Sequence, residues 1–161
     1  MKELGKYSKK NGRIYLTGGA TAVLLDWRET TLDIDIKPVP DSDDLFKGIA
    51  EIKDKIGINV ELASPGEFIP PLPGWQERSL FISQQGTIQY YHYDFYSQTL
   101  SKIERWHSQD QKDVHEMLSR GLVKRETLMK FFEAIRPQLI RYPAIDAASF
   151  ESKVKEVCQN E

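Results

Sequence analysis

A chain of 161 residues with 40% hydrophobic content is long enough for one globular domain with a sizeable core, and two such domains are not expected. Its 22 basic and 24 acidic residues nearly cancel, which excludes the global field that drives non-specific binding to nucleic acid or to anionic membranes. The single cysteine, Cys158, excludes an intramolecular disulfide and a cysteine-based zinc site.

In chain order, residues 1–10 read as a short polar helix ended by Asn11-Gly12. They lack the apolar core of a signal peptide, and no apolar run approaches 18 residues, so a soluble cytoplasmic protein without membrane contact is expected. Ile14-Tyr15-Leu16 is a β-prone run entering Gly18-Gly19, and Ala20 to Trp27 then reads as an apolar helix.

From Leu32 to Lys37 the residues alternate, placing Leu32, Ile34 and Ile36 on one face of a strand and Asp33 and Asp35 on the other. Pro38-Val39-Pro40 is expected to end it. Ser42 caps a helix whose Leu45, Ile49, Ile52 and Ile56 share a face, and Gly57 closes it. Ile58 to Leu62 is a third strand with Asn59 and Glu61 on its polar face.

Ser64 to Trp75 is so rich in proline and glycine that it reads as an irregular loop anchored by Phe68, Ile69 and Trp75. A hairpin follows, Leu80–Ser83 and Thr87–Tyr93 around Gln84-Gln85-Gly86. Helices are predicted at about 96–107, 110–120 and 125–136, the second ended by Gly121 and the third by Pro137, and a last one at roughly 149–158. The whole is one α+β domain over 1–161: a mixed sheet with flanking helices over about 13–95, then a helical C-terminal third over about 96–160.

Asp33 and Asp35 lie two positions apart on one strand, roughly 6.5–7 Å between Cα atoms. Two like charges at such a separation near a surface repel by roughly 2–3 kcal/mol, so something positive belongs there. Magnesium is held by one or two carboxylates with phosphates and water completing its shell, and Glu61 on the neighbouring strand is a third acid for a two-ion phosphoryl-transfer site. The plain alternative is an alternating strand with its charged face in water. Gly18-Gly19 before a helix suits a phosphate, though alone it is simply a tight turn. Arg28 either pairs with Asp26 or Glu29 or turns its guanidinium to an oxyanion.

The spacing G-G-x8-R-x-T-T-x-D-x-D, filled by Gly18, Gly19, Arg28, Thr30, Thr31, Asp33 and Asp35, resembles the signature of the DNA polymerase β-like nucleotidyltransferase superfamily. The likeness is closest to its small prokaryotic branch, which includes the AbiEii/MenT group of toxin–antitoxin systems. It extends over about 13–120, through Lys102 and Arg105 to the segment Gln109-Asp110-Gln111-Lys112-Asp113. By this resemblance Asp33 and Asp35 are metal ligands, with Glu61 the third carboxylate and Asp94 its rival. Gly18 and Gly19 form the phosphate turn, Arg28, Thr30 and Thr31 join the nucleotide site, Lys102 contacts the triphosphate, and Asp113, less directly Asp110, is the late supporting acid.

The sequence departs from the pattern at three places: Gly19 stands where many members carry serine, Gln109 replaces an arginine, and Glu61 stands where an aspartate is commoner. The resemblance implies a metal-dependent enzyme, using Mg2+ or Mn2+, that moves a nucleoside monophosphate from an NTP to a tRNA or other RNA end or to a protein side chain. A tRNA end needs only a small basic patch, to which Lys9, Lys10, Arg13 and Lys37 would contribute. A non-catalytic module with a cognate toxin or antitoxin partner, or a nucleotide sensor, are the other readings. The three histidines lack ligand spacing, and the aromatic run Tyr90 to Tyr96 reads as packing rather than as a base-stacking surface.

Overall fold

A computed structural model describes residues 1–6 and 10–159. The chain forms two compact units, one of residues 1–64 and 79–93, the other of residues 65–78 and 94 to the end.

The first unit is a mixed five-stranded sheet in the order β3-β2-β1-β5-β4. Its strands are β1 (Gly12–Thr17), β2 (Asp33–Val39), β3 (Asn59–Glu61), β4 (Leu80–Gln85) and β5 (Ile88–His92), and its helices are α1 (Gly18–Leu24) and α2 (Asp43–Ile56). β1 runs antiparallel to β2 and parallel to β5, while β2 and β3 are parallel. The period-2 pattern of β2 sends Ile34 and Ile36 to a core shared with Ile14, Leu16, Ile88 and the α2 residues Leu45, Ile49 and Ile52. Asp33, Asp35 and Lys37 occupy the opposite face, in register with Thr17 and Tyr15 of β1 and Asn59 and Glu61 of β3. Gly57, at φ 68°, closes α2 in the left-handed conformation that glycine tolerates without a Cβ penalty.

β2 does not stop at its first proline. Pro38 pairs with Ile14 of β1, but β3 accompanies β2 only along Asp33–Asp35, so β2 is an edge strand at Pro38, where proline is tolerated. The polar helix expected over 1–10 is a single 3-10 turn at Leu4–Lys6, and residues 7–9, with Lys9, lie outside the described residues.

The second unit begins with two single-turn helices, α3 (Pro65–Phe68), inside the stretch expected as an irregular loop, and α4 (Trp75–Arg78), which starts at its last residue. Burial of Ile69 and Leu72 pins this proline-rich segment and lets short helical turns form around them. Its main helices are α5 (Phe95–Arg105), α6 (Ser108–Ser119), α7 (Arg125–Ile135) and α8 (Ala147–Gln159). α5 packs against α6, α7 and α8, with Leu100, Ile103, Met117, Leu128, Phe132, Phe150 and Val154 buried in this unit. The helix α7 passes into a 3-10 segment at Arg136–Arg141 that runs through Pro137, because proline at the start of a new turn needs no N–H partner. The observed class is the α+β architecture read from the sequence. No helix of the described residues is long and apolar enough to cross a membrane.

Candidate functional site

The end of β1 delivers the chain into Gly18, whose φ of +59° is the left-handed conformation that a side chain disfavours. A Cβ built there would lie 2.8 Å from Asp35 Oδ2, so the absence of a side chain lets the carboxylate sit against the turn. Register makes this contact: Thr17, the residue before the turn, pairs directly with Asp35. At Gly19 a Cβ would overlap the Thr31 hydroxyl and stand 3.0 Å from an Arg28 guanidinium nitrogen. The turn, Arg28, Thr31 and Asp35 therefore meet at one place.

The position where a serine is common is thus filled from elsewhere in the chain. Thr31 Oγ1 lies over Gly19 and donates a 2.9 Å hydrogen bond to the carbonyl of Asp33, fixing the approach to β2. Glycine at 19 is the steric counterpart of threonine at 31. Thr30 is exposed on the same loop.

Asp33 is half-buried and held by a residue that the motif does not contain. Asn59 Nδ2 donates to Asp33 Oδ1 at 2.6 Å and to Glu61 Oε1 at 2.8 Å, so one amide spans two carboxylates on adjacent strands. The shared donor offsets the repulsion between Asp33 and Glu61. Glu61 pairs in register with Asp35 and is exposed. Among the described residues no three His, Cys, Asp or Glu side chains gather into a ready-made metal cage. Asp35 lies against the Gly18 turn, on the sheet face it shares with Asp33 and Glu61.

Behind this face lies His92, buried on β5 beside Leu16, its Nδ1 3.2 Å from Thr21 Oγ1. Burial pushes its pKa down to about 4, so the imidazole is neutral at physiological pH.

The later residues form a second constellation within the helical unit. Lys102 Nζ is buried and reaches Asp113 Oδ2 at 2.7 Å and Asp110 Oδ1 at 3.4 Å. Arg105 adds a 2.9 Å contact to Asp110 Oδ1, and Gln109 Nε2 donates to Asp113 Oδ1 at 3.2 Å. Asp110 also accepts from the His107 N–H, as the acidic half of a capping box at the start of α6. Two cations and two carboxylates cancel here. Glutamine at 109 keeps a donor on Asp113 without adding a third cation. The guanidinium in this network with exposed surface is Arg105, whose side chain is 40% exposed.

Asp94, the rival third acid, has a different task. Its two oxygens take Arg78 Nε and Nη2 at 3.0 and 2.9 Å, and Oδ2 also accepts from Ser97 N–H and Oγ–H. It is the N-cap of α5. The signal was present in the sequence, an Asp followed three residues later by Ser at the start of a helix. Asn59 also lay in view, on the same strand face as Glu61, but its partner depended on the pairing of β3 with β2.

Residues 1–157 match the model of a protein family described as "Nucleotidyltransferase of unknown function (DUF6036)". No curated protein and no solved structure matches the chain.

Proposed function

Because the chain belongs to the DUF6036 family of nucleotidyltransferases of unknown function, we propose that it moves a nucleoside monophosphate from an NTP to a hydroxyl of an acceptor, an RNA end or a protein side chain. The observation that carries this reading is the packing of the Gly18-Gly19 turn against Asp35, Thr31 and Arg28, on the sheet face that also presents Asp33 and Glu61. Backbone N–H groups at such a turn suit phosphate oxygens, and the Asp33 and Asp35 carboxylates on the same face would hold a magnesium or manganese ion. The ion would supply charge neutralisation at the phosphates when bound.

In this reading Asp33 and Asp35 hold that ion, and Arg28 offers a guanidinium beside the turn. Glu61, exposed and oriented by Asn59, takes the proton of the attacking hydroxyl. An O–Pα bond forms, the Pα–O bond to the β-phosphate breaks, and pyrophosphate leaves. Catalysis rests on placement and charge stabilisation, with no covalent intermediate. The resemblance gives the triphosphate contact to Lys102. Since that ammonium is engaged by Asp110 and Asp113, Arg105 is the residue of the pair with donors at the surface.

The test is incubation with each labelled NTP, magnesium and cell extract, beside the Asp33→Ala/Asp35→Ala variant. Label appearing on RNA or on protein with wild type alone supports transfer and identifies the acceptor class. Equal background from both proteins with all four nucleotides rejects it, in favour of a non-catalytic module.

A further inference from the structure

The apolar face of the first unit's sheet does not close on α1 and α2. Between them is a cavity of about 540 Å³, on the opposite side of β2 from Asp33 and Asp35. Interiors normally keep few voids larger than a water molecule, whereas this volume falls among small-molecule sites, roughly 300–1,000 Å³.

Its walls are aliphatic side chains from both helices and from β1, β2 and β3, among them Val23, Ile36, Ile49 and Val60. Two hydroxyl-bearing residues line it, and both donate elsewhere: Tyr90 to the Met1 carbonyl at 3.0 Å, Thr31 to the Asp33 carbonyl. An ordered water needs two to four polar partners, and such walls do not provide them. A ligand that fits these walls is apolar along most of its length. Leu24 and Ile56, which also line the cavity, are 41% and 47% exposed, so the aliphatic lining continues to the surface.

Lys2 and Glu3 add charge to the lining. Glu3 is engaged by Lys6 at 2.6 Å and faces Lys55 at 3.9 Å, whereas Lys2 is exposed and has no carboxylate partner among the described residues. The balance there is positive.

We propose that this cavity binds a single-chain anionic amphiphile, with its aliphatic tail among the isoleucines and valines and its anionic head at Lys2. The tail replaces void with dispersion contacts, and the head neutralises a cation that the protein leaves unmatched. The proposal does not rest on nucleotidyl transfer: Thr31 borders both the cavity and the Gly19 turn, but the acids lie on the other face of β2 and the variants tested below leave Thr31 in place.

The experiment titrates the full chain with dodecanoate and with neutral dodecanol, both below micelle formation, following displacement of a fluorescent apolar probe and the melting temperature. Wild type should bind dodecanoate saturably at one per chain with a raised melting temperature. Ile49→Phe/Ile52→Phe, which fills the space, should lose binding by at least about tenfold while keeping its circular dichroism. Lys2→Glu, at an exposed position that folding does not need, should weaken dodecanoate by about tenfold and leave dodecanol unchanged. Absence of saturable binding by wild type, or full binding by a folded filled variant, overturns the site; unchanged dodecanoate affinity in Lys2→Glu overturns the anionic head.

Discussion

Replacing Gly19 by alanine tests the packing on which the candidate site rests. The added Cβ would overlap Thr31 Oγ1, lie 2.8 Å from Thr31 Cβ and stand 3.0 Å from the Arg28 guanidinium. Overpacking of this kind costs about 1–3 kcal/mol. Thr31 can withdraw only by giving up its hydrogen bond to the Asp33 carbonyl, another ~0.5–1.5 kcal/mol. Against this, alanine in a helix is favoured over glycine by about 1 kcal/mol.

The clash wins, and Gly19→Ala should destabilise by about 1–3 kcal/mol. Thr31→Ala alone should cost about 1 kcal/mol, chiefly for the lost bond. In the double variant the overlapping hydroxyl is gone, so the combined loss should fall short of the sum by about 1–2 kcal/mol. Urea unfolding of the four proteins, followed by fluorescence and circular dichroism, measures the cycle. Gly19→Ala as stable as wild type, or losses that simply add, would refute the packing of the turn beneath Thr31.

Asn59→Asp places a third carboxylate between Asp33 and Glu61 and removes the shared donor, so in EDTA it should melt lower by the equivalent of about 1–3 kcal/mol. Millimolar magnesium should return part of that; no loss in EDTA would argue against the amide bridge. Lys102→Met leaves the wholly buried Asp113 without its cation, for a loss of about 3–5 kcal/mol by chemical denaturation. A loss below 1 kcal/mol would contradict a buried pair. His92 has a folded pKa of about 4 against 6.5 unfolded, so the unfolded chain binds the proton first. Its contribution is complete above 6.5 and is lost as pH falls toward 4, amounting to about 2 kcal/mol by pH 5. Unfolding at pH 7.5 and 5.0 should show this slope, and His92→Phe should flatten it.

What the sequence discloses is what depends on neighbours along the chain. Alternation assigned Asp33 and Asp35 to one face of β2, and the glycine after Ile56 marked the end of α2, because both follow from local geometry. The Asn59 bridge was hidden because it requires β3 to lie parallel to β2 in one particular register, separated by 26 positions in the chain. The ion pairs of Lys102, expected at the triphosphate, were hidden for the same reason: its acids sit on the next helix, and only the packing of α5 against α6 brings them to it. Glycine at 19 read as a lost side chain, and only the return of the chain through Thr31 reveals what occupies its place.

The central position of β1 has a consequence for how the protein is made. β1 is synthesised first, yet it needs partners on both edges, and its parallel neighbour begins at Ile88 opposite Gly12. At roughly 5–20 residues per second the ribosome takes on the order of 4–15 s to supply the intervening stretch. During that interval β2 can shield one edge of β1 while the other stays open to whatever is nearby. A pause introduced between the codons for Val39 and Ile88 should lengthen that exposure and lower the soluble yield, whereas one placed after His92 should not.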